Sequence, residues 1–166
     1  MIVAGFDRYD LINTPMADGP TFTVWFAGCT HGCKGCQNKV LWDKNNGEDF
    51  SPYELFGLIV EETKKTKIRT VTLLGGEPLQ QNIDDLVLLC HLLDRSGFKI
   101  WIYTGYEFDA VPNNVLRFID YIKCGKYIEE LRTEDGSFPI TKNQKVYSKA
   151  GGWKPITINK EDIQCT

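Results

Sequence analysis

Four short runs of β-branched and aromatic residues, separated by helical stretches, each stop at a glycine or a cysteine, and this pattern limits the fold more than any other feature of the chain. Residues 21–26 run into Gly28-Cys29, 69–74 into Gly75-Gly76, 99–103 into Thr104-Gly105, and 120–124 end at Cys124-Gly125. Each reads as a buried strand. Between the first two, Ser51 can cap a helix, Pro52 suits its first turn and Glu54 completes a capping box. Leu55, Leu58 and Ile59 then form its apolar stripe. Residues 83–95 carry Leu86, Leu89, Cys90 and Leu93 on one helical face, 115–118 suit a short helix, and 145–147 and 155–158 suit further strands. Such alternation predicts a parallel sheet joined by right-handed crossovers. A closed eight-stranded barrel takes about 250 residues, and this chain has 166. The expected fold is therefore α/β, an open partial (β/α) barrel with a curved, mostly parallel sheet, in one domain over residues 1–166. Ligands of parallel sheets bind at the carboxyl ends of strands. All four glycine or cysteine ends fall on that one edge, so one site is expected there.

The loop after the first strand holds Cys29, Cys33 and Cys36 in a C-x3-C-x2-C run. Three thiolates on one loop can take three corners of an iron–sulfur cube. A four-iron cluster held by four cysteines is coordinatively closed and passes electrons. A cluster held by three keeps one iron free for a ligand. Zinc is the competing reading, with His31 completing a Cys3His set, but His31 is only two residues from both Cys29 and Cys33, and no second C-x2-C follows. A fourth cluster cysteine would have to come from the distant Cys90, Cys124 or Cys165. Disulfides fit poorly, because three close cysteines leave one unpaired and the N-terminus does not read as an export signal.

Composition excludes other classes. The net charge of −3 comes with no basic stripe, so no nucleic-acid partner is expected. No apolar stretch approaches the ~20 residues of a membrane span, so no membrane partner is expected. Six cysteines suit a reducing compartment, the cytoplasm. The lysines 64, 65 and 67 read as the solvated end of a helix.

Gly75-Gly76-Glu77-Pro78 follows the second strand. Two glycines let a backbone approach a ligand closely or take positive φ. Glu77 can then project an acceptor toward a ligand ammonium, or simply cap the next turn. Cys90 reads as core and Cys165 as a terminal residue. Trp25, Phe26 and Trp101 read as core aromatics. His31 suits either a hydrogen bond that tunes the cluster or a solvated loop position. Trp153, in Ala150-Gly151-Gly152-Trp153, is the candidate partner contact, since a large aromatic in a glycine-rich loop is hard to bury.

The cysteine run followed by Gly-Gly-Glu-Pro resembles the radical S-adenosylmethionine superfamily. Within it, the chain resembles the proteins that activate class III anaerobic ribonucleoside-triphosphate reductases. The shared segments are Asp18-Gly19-Pro20, Phe26-Ala27-Gly28-Cys29, Gly35-Cys36-Gln37-Asn38, Leu74-Gly75-Gly76-Glu77-Pro78-Leu79, Tyr103-Thr104-Gly105-Tyr106, Gly125-Lys126-Tyr127 and Asn143-Gln144-Lys145. The resemblance implies a 4Fe-4S cluster on Cys29, Cys33 and Cys36. It also implies S-adenosylmethionine contacted by Asn38, Gly75, Gly76, Glu77, Thr104 and Lys126. It implies a large reductase subunit as the protein that receives a glycyl radical, and a one-electron donor such as flavodoxin or ferredoxin. A short chain leaves part of the cavity wall to that partner, so an open concave face is expected.

Two departures stand out. Many superfamily members place an aromatic residue before the third cysteine, near the adenine, and here it is Gly35. The family often ends the fourth strand in Val-Asp-Gly, and here it is Lys123-Cys124-Gly125. A carboxylate role at 124 is therefore lost, and Cys124 suits a small buried position. Lys126 suits either a ligand carboxylate or plain exposure. The competing functions are activation of another glycyl-radical enzyme, radical chemistry on a small molecule, and, from a different class, a non-catalytic zinc or electron-carrying module.

Overall fold

The structure, a computed structural model, describes residues 1–13, 19–134 and 138–158. Asp18 and Cys165, both noted in the sequence, lie outside the described residues. The strands are β1 (Ile2–Asp10), β2 (Thr21–Phe26), β3 (Glu48–Asp49), β4 (Thr70–Gly75), β5 (Lys99–Tyr103), β6 (Tyr121–Cys124), β7 (Lys145–Ser148) and β8 (Lys154–Ile156). The helices are α1 (Pro52–Thr66), α2 (Ile83–Arg95) and α3 (Asn113–Leu116). Eight strands form one open sheet in the order β3-β1-β2-β4-β5-β6-β7-β8.

The centre of the sheet is parallel: β2 pairs β4, β4 pairs β5 and β5 pairs β6. Both flanks are antiparallel, through β1 and β3 on one side and β7 and β8 on the other. The fold is thus α/β, an open sheet with the expected parallel strands at its centre and antiparallel strands added at both flanks. The reason lies in the ends of the chain. Residues 2–10, used in the sequence only to exclude a leader, form β1, which folds back on β2. No helix separates β7 from β8, so they can meander. The parallel centre does place the carboxyl ends of β2, β4, β5 and β6 on one edge.

Register explains the core. Phe22 lies beside Val71, and Val24 beside Leu73. The rows continue through Ile100 and Ile102 to Ile122. All seven side chains are buried in one apolar cluster with Leu55, Ile59, Leu86, Leu89 and Leu93 of the helices. The α1 capping box forms as the sequence dictates: Glu54 N–H donates to Ser51 Oγ, and Ser51 N–H donates to Glu54 Oε2. The Asn82 side chain caps α2, accepting from Asp84 and Asp85.

The opposite face is more polar. Thr21, Thr23, Thr70 and Thr72 are buried there. Thr23 donates to the Asp10 carboxylate at 2.7 Å and Thr72 to the Asn13 carbonyl at 3.1 Å. Farther along, Trp101 stacks on Tyr121 with centroids 4.4 Å apart. Trp153 is not a free surface aromatic as expected. It is half-buried and packs on Phe108 at 5.7 Å, because β7 and β8 fold its glycine-rich loop onto the molecule.

Candidate functional site

The cysteine loop begins where β2 ends. Gly28 N–H donates to the Leu41 carbonyl at 2.8 Å, and Cys29 N–H to the Trp42 carbonyl at 3.1 Å. The loop is therefore zipped to the residues that follow it. Thr30 N–H is fixed by Gln80 Oε1 at 2.9 Å. Cys36 N–H closes a turn on the Cys33 carbonyl. The three thiols are free and half-buried, and all line one cavity of about 920 Å³.

The two glycines after β4 serve the protein's own backbone first. Gly76 N–H donates to the Phe26 carbonyl at 2.7 Å, and Glu77 N–H to the Gly28 carbonyl at 2.9 Å. A Cβ on Gly76 would lie 2.6 Å from that Gly28 oxygen and 3.0 Å from the Leu41 oxygen. Gly75 takes φ +111° directly before it. No side chain fits while the cysteine loop packs this closely, so the Gly-Gly pair and the cysteine run form one structural unit.

Glu77 is 1% exposed and fully hydrogen-bonded. Its Oε1 accepts from Leu79 N–H at 3.0 Å and Thr104 Oγ1 at 2.8 Å. Its Oε2 accepts from Gly105 N–H at 2.7 Å and lies 2.9 Å from His31 Nε2. It caps the turn Pro78–Gln80 while facing the cavity. The capping reading open in the sequence is thus met. Four partners fill its acceptor sites, so what it offers the cavity is charge.

His31 is no solvated loop residue: its side chain is 9% exposed. Its ring meets Tyr106 edge-on at 4.7 Å, and its Nε2 faces Glu77. The Cys29 thiol is pushed above its ordinary value, first by burial and further by the charges of Glu77, Cys33 and Cys36, against a lowering hydrogen bond from His31. Three free thiols on one loop, lining a cavity large enough for a cluster and its ligand, fit a 4Fe-4S cluster.

Other residues fall as follows. Thr104 and Asn38 line the cavity, as do Gly75 and Gly76. Lys126 does not: it is exposed, and Asn143 Nδ2 donates to its carbonyl at 2.9 Å. Gln144 Nε2 donates to the Gly125 carbonyl at 3.0 Å, so the Asn143-Gln144 pair braces the end of β6. Cys90 and Cys124 are buried in the core, and burial pushes each thiol up to about 12. Trp25 is not a core aromatic. It is half-buried, lines the cavity and donates to Asp7 Oδ2 at 3.0 Å. Its place in the alternation of β2 sets it opposite Phe22, Val24 and Phe26. Two residues escaped the sequence reading. Gln80 ties Thr30 to the Tyr106 hydroxyl, and no local pattern marks it. Lys123 lines the cavity, and the alternation of β6 marks it as opposite Ile122 and Cys124.

Comparison with known proteins agrees with this arrangement. The model of a 4Fe-4S single cluster domain matches residues 17–147. The anaerobic ribonucleoside-triphosphate reductase-activating protein of Salmonella typhi is 32% identical over 146 residues, covering 83% of this chain and 92% of the relative. That of Enterobacteria phage T4 is 33% identical over 150 residues, covering 87% and 93%. That of Escherichia coli K12 is 30% identical over 146 residues, covering 83% and 92%. With its cysteine loop, Gly-Gly-Glu turn and open cavity at the carboxyl edge of the sheet, the chain belongs to the family of anaerobic ribonucleoside-triphosphate reductase-activating proteins.

Proposed function

We propose that this chain activates an anaerobic ribonucleoside-triphosphate reductase by taking a hydrogen atom from one glycine of that partner, which is left with a stored glycyl radical. The observation that carries the reading is the meeting of Cys29, Cys33, Cys36, Glu77 and Thr104 on one open cavity at the carboxyl edge of the sheet. When bound, a 4Fe-4S cluster with one iron free of cysteine, together with S-adenosylmethionine, supplies a one-electron cleavage of the carbon–sulfur bond and so the power to abstract hydrogen.

The chain's own residues set the stage. Cys29, Cys33 and Cys36 hold three corners of the cube. Glu77, fixed by Thr104 and Gly105, contributes negative charge for the ligand ammonium. Asn38, Gly75 and Gly76 complete the cofactor contacts within the cavity, and Lys126 stands outside it. Cys90 and Cys124, buried and neutral, do not compete for iron. The cavity is open to solvent, and docking of the reductase covers it and excludes water from the reacting glycine. The sheet curves as a partial barrel around that space, with the whole chain acting as one domain. The protein works in the cytoplasm, with flavodoxin or ferredoxin as electron donor. Among the described residues no helix is long and apolar enough to cross a membrane.

The test is anaerobic mixing of the reconstituted, reduced chain with the reductase and S-adenosylmethionine, read by electron paramagnetic resonance. A glycyl radical on the wild-type reductase, and none when its glycine is substituted, is expected. Radical formation that ignores that substitution would point to another target.

A further inference from the structure

Lys123 is a cation of the cavity wall that has no counter-ion among the described residues. It sits on β6 beside Tyr103 of β5, on the face away from the helices. Its Nζ lies 4.4 Å from the Tyr103 ring centroid and 5.5 Å from that of Phe138. Aromatic faces stabilise an ammonium. They do not accept ordinary hydrogen bonds from its three N–H donors. None of the ion pairs among the described residues includes Lys123. Burial alone draws its pKa down to about 8, with no carboxylate acting against it.

Of the four acids that line the cavity, Glu77, Glu129 and Glu130 are already engaged, and no ion pair joins the fourth, Glu134, to Lys123. Glu77 has its four partners. Glu130 pairs with Lys34 at 3.0 Å, and Glu129 lies 3.9 Å from the same ammonium. A half-buried ammonium on a cavity wall, held over two aromatic rings and paired with none of the wall's carboxylates, is placed to take an acceptor that arrives with the ligand.

We propose that Lys123 is a carboxylate-binding residue of this cavity, paired on ligand entry with a carboxylate that the ligand brings. That group is either the amino-acid end of S-adenosylmethionine or an acidic side chain of the reductase segment that enters the cavity. The inference rests on the proposed function, since both sources belong to it. It extends the set of cofactor contacts past Lys126, whose side chain is exposed.

The test compares the reconstituted wild-type protein with Lys123→Met and Lys123→Arg. Met keeps an apolar stem between Tyr103 and Phe138, and Arg keeps the charge. Iron content and thermal unfolding establish that each variant is loaded and folded. Two affinities are then measured. One is for S-adenosylmethionine alone, by titrating the spectrum of the reduced cluster. The other is for the reductase with S-adenosylmethionine saturating. Lys123→Met is expected to weaken one of the two by about tenfold, with Arg recovering most of it. Loss in the first arm places the carboxylate on the cofactor, and loss in the second places it on the partner. Both affinities within about twofold of wild type in Lys123→Met overturn the inference while leaving the function intact. A wild-type protein that binds neither ligand overturns the function and this inference together. Should Lys123→Met fail to fold, Lys123→Gln is read by the same two affinities and the same criteria.

Discussion

Glu77 Oε2 and His31 Nε2 lie 2.9 Å apart, which ties the loop that carries the three cysteines to the turn after β4. The contact exists because Gly105 has no side chain. A Cβ there would lie 2.4 Å from His31 Cδ2 and 2.6 Å from its Nε2. Gly105→Ala therefore pushes the imidazole off the carboxylate. The expected cost is about 1–3 kcal/mol, the range for stranding a buried polar partner. Urea unfolding of the double-mutant cycle checks it: in a His31→Ala background most of the Gly105→Ala cost disappears. Fully additive costs would contradict the coupling.

Glu77→Gln keeps size but not acceptor capacity. Its amide NH2 would face at least one of the N–H or O–H donors of Leu79, Thr104 and Gly105. Stability is expected to fall by about 1–3 kcal/mol, and S-adenosylmethionine is expected to bind more weakly because the charge is gone. Chemical unfolding and a ligand titration read the two effects separately. A variant with wild-type stability would show that the four hydrogen bonds contribute little.

The five cysteines among the described residues divide into two classes by accessibility. Cys29, Cys33 and Cys36 are half-buried at the cavity, whereas Cys90 and Cys124 are 0% and 2% exposed. In the iron-free folded protein, iodoacetamide should label the first three and spare the other two, whose thiols burial holds up at about 12. Mass spectrometry of tryptic peptides distinguishes the sites. Labelling of Cys90 at the rate of Cys33 without unfolding would contradict the core described here.

Lys123 makes stability depend on pH in a defined direction. Its folded-state pKa is about 8, below the ~10.4 of an unfolded lysine. Below pH 8 the folded protein carries the full cost of a buried charge. Between about 8 and 10.4 the unfolded chain binds more protons, so this residue's contribution to the unfolding free energy rises with pH. Lys123→Met is therefore expected to be more stable than wild type at pH 7, with the gap closing by about pH 10. Unfolding free energies of both proteins across that range check it, and a gap that does not change with pH would contradict it.

The pattern of residues made much of this fold legible. The capping box at Ser51 and Glu54, the apolar stripe of α2 and the four strands ending in glycine or cysteine are local signals, and local rules govern them. The single carboxyl edge followed from alternation alone. What was illegible depends on distant packing. β1 carries no alternation clean enough to separate it from a loop, and its partner β2 is named only by the fold. The outer hairpin of β7 and β8 that half-buries Trp153 is likewise a tertiary choice. Glu77 was expected to face a ligand, yet three of its four partners, at Thr104, Gly105 and His31, come from two other loops. Only the assembled sheet edge brings them together. Lys123 was legible in principle from strand parity, but its lack of a counter-ion was not.

The most direct test of the account is the electron paramagnetic resonance spectrum of the chain after anaerobic reconstitution with iron and sulfide and reduction, recorded with and without S-adenosylmethionine. The account predicts a reduced four-iron signal that changes on addition of the ligand and is lost when any one of Cys29, Cys33 or Cys36 is replaced by alanine. A cluster whose spectrum is indifferent to S-adenosylmethionine, or one that survives loss of one of these cysteines unchanged, would contradict it.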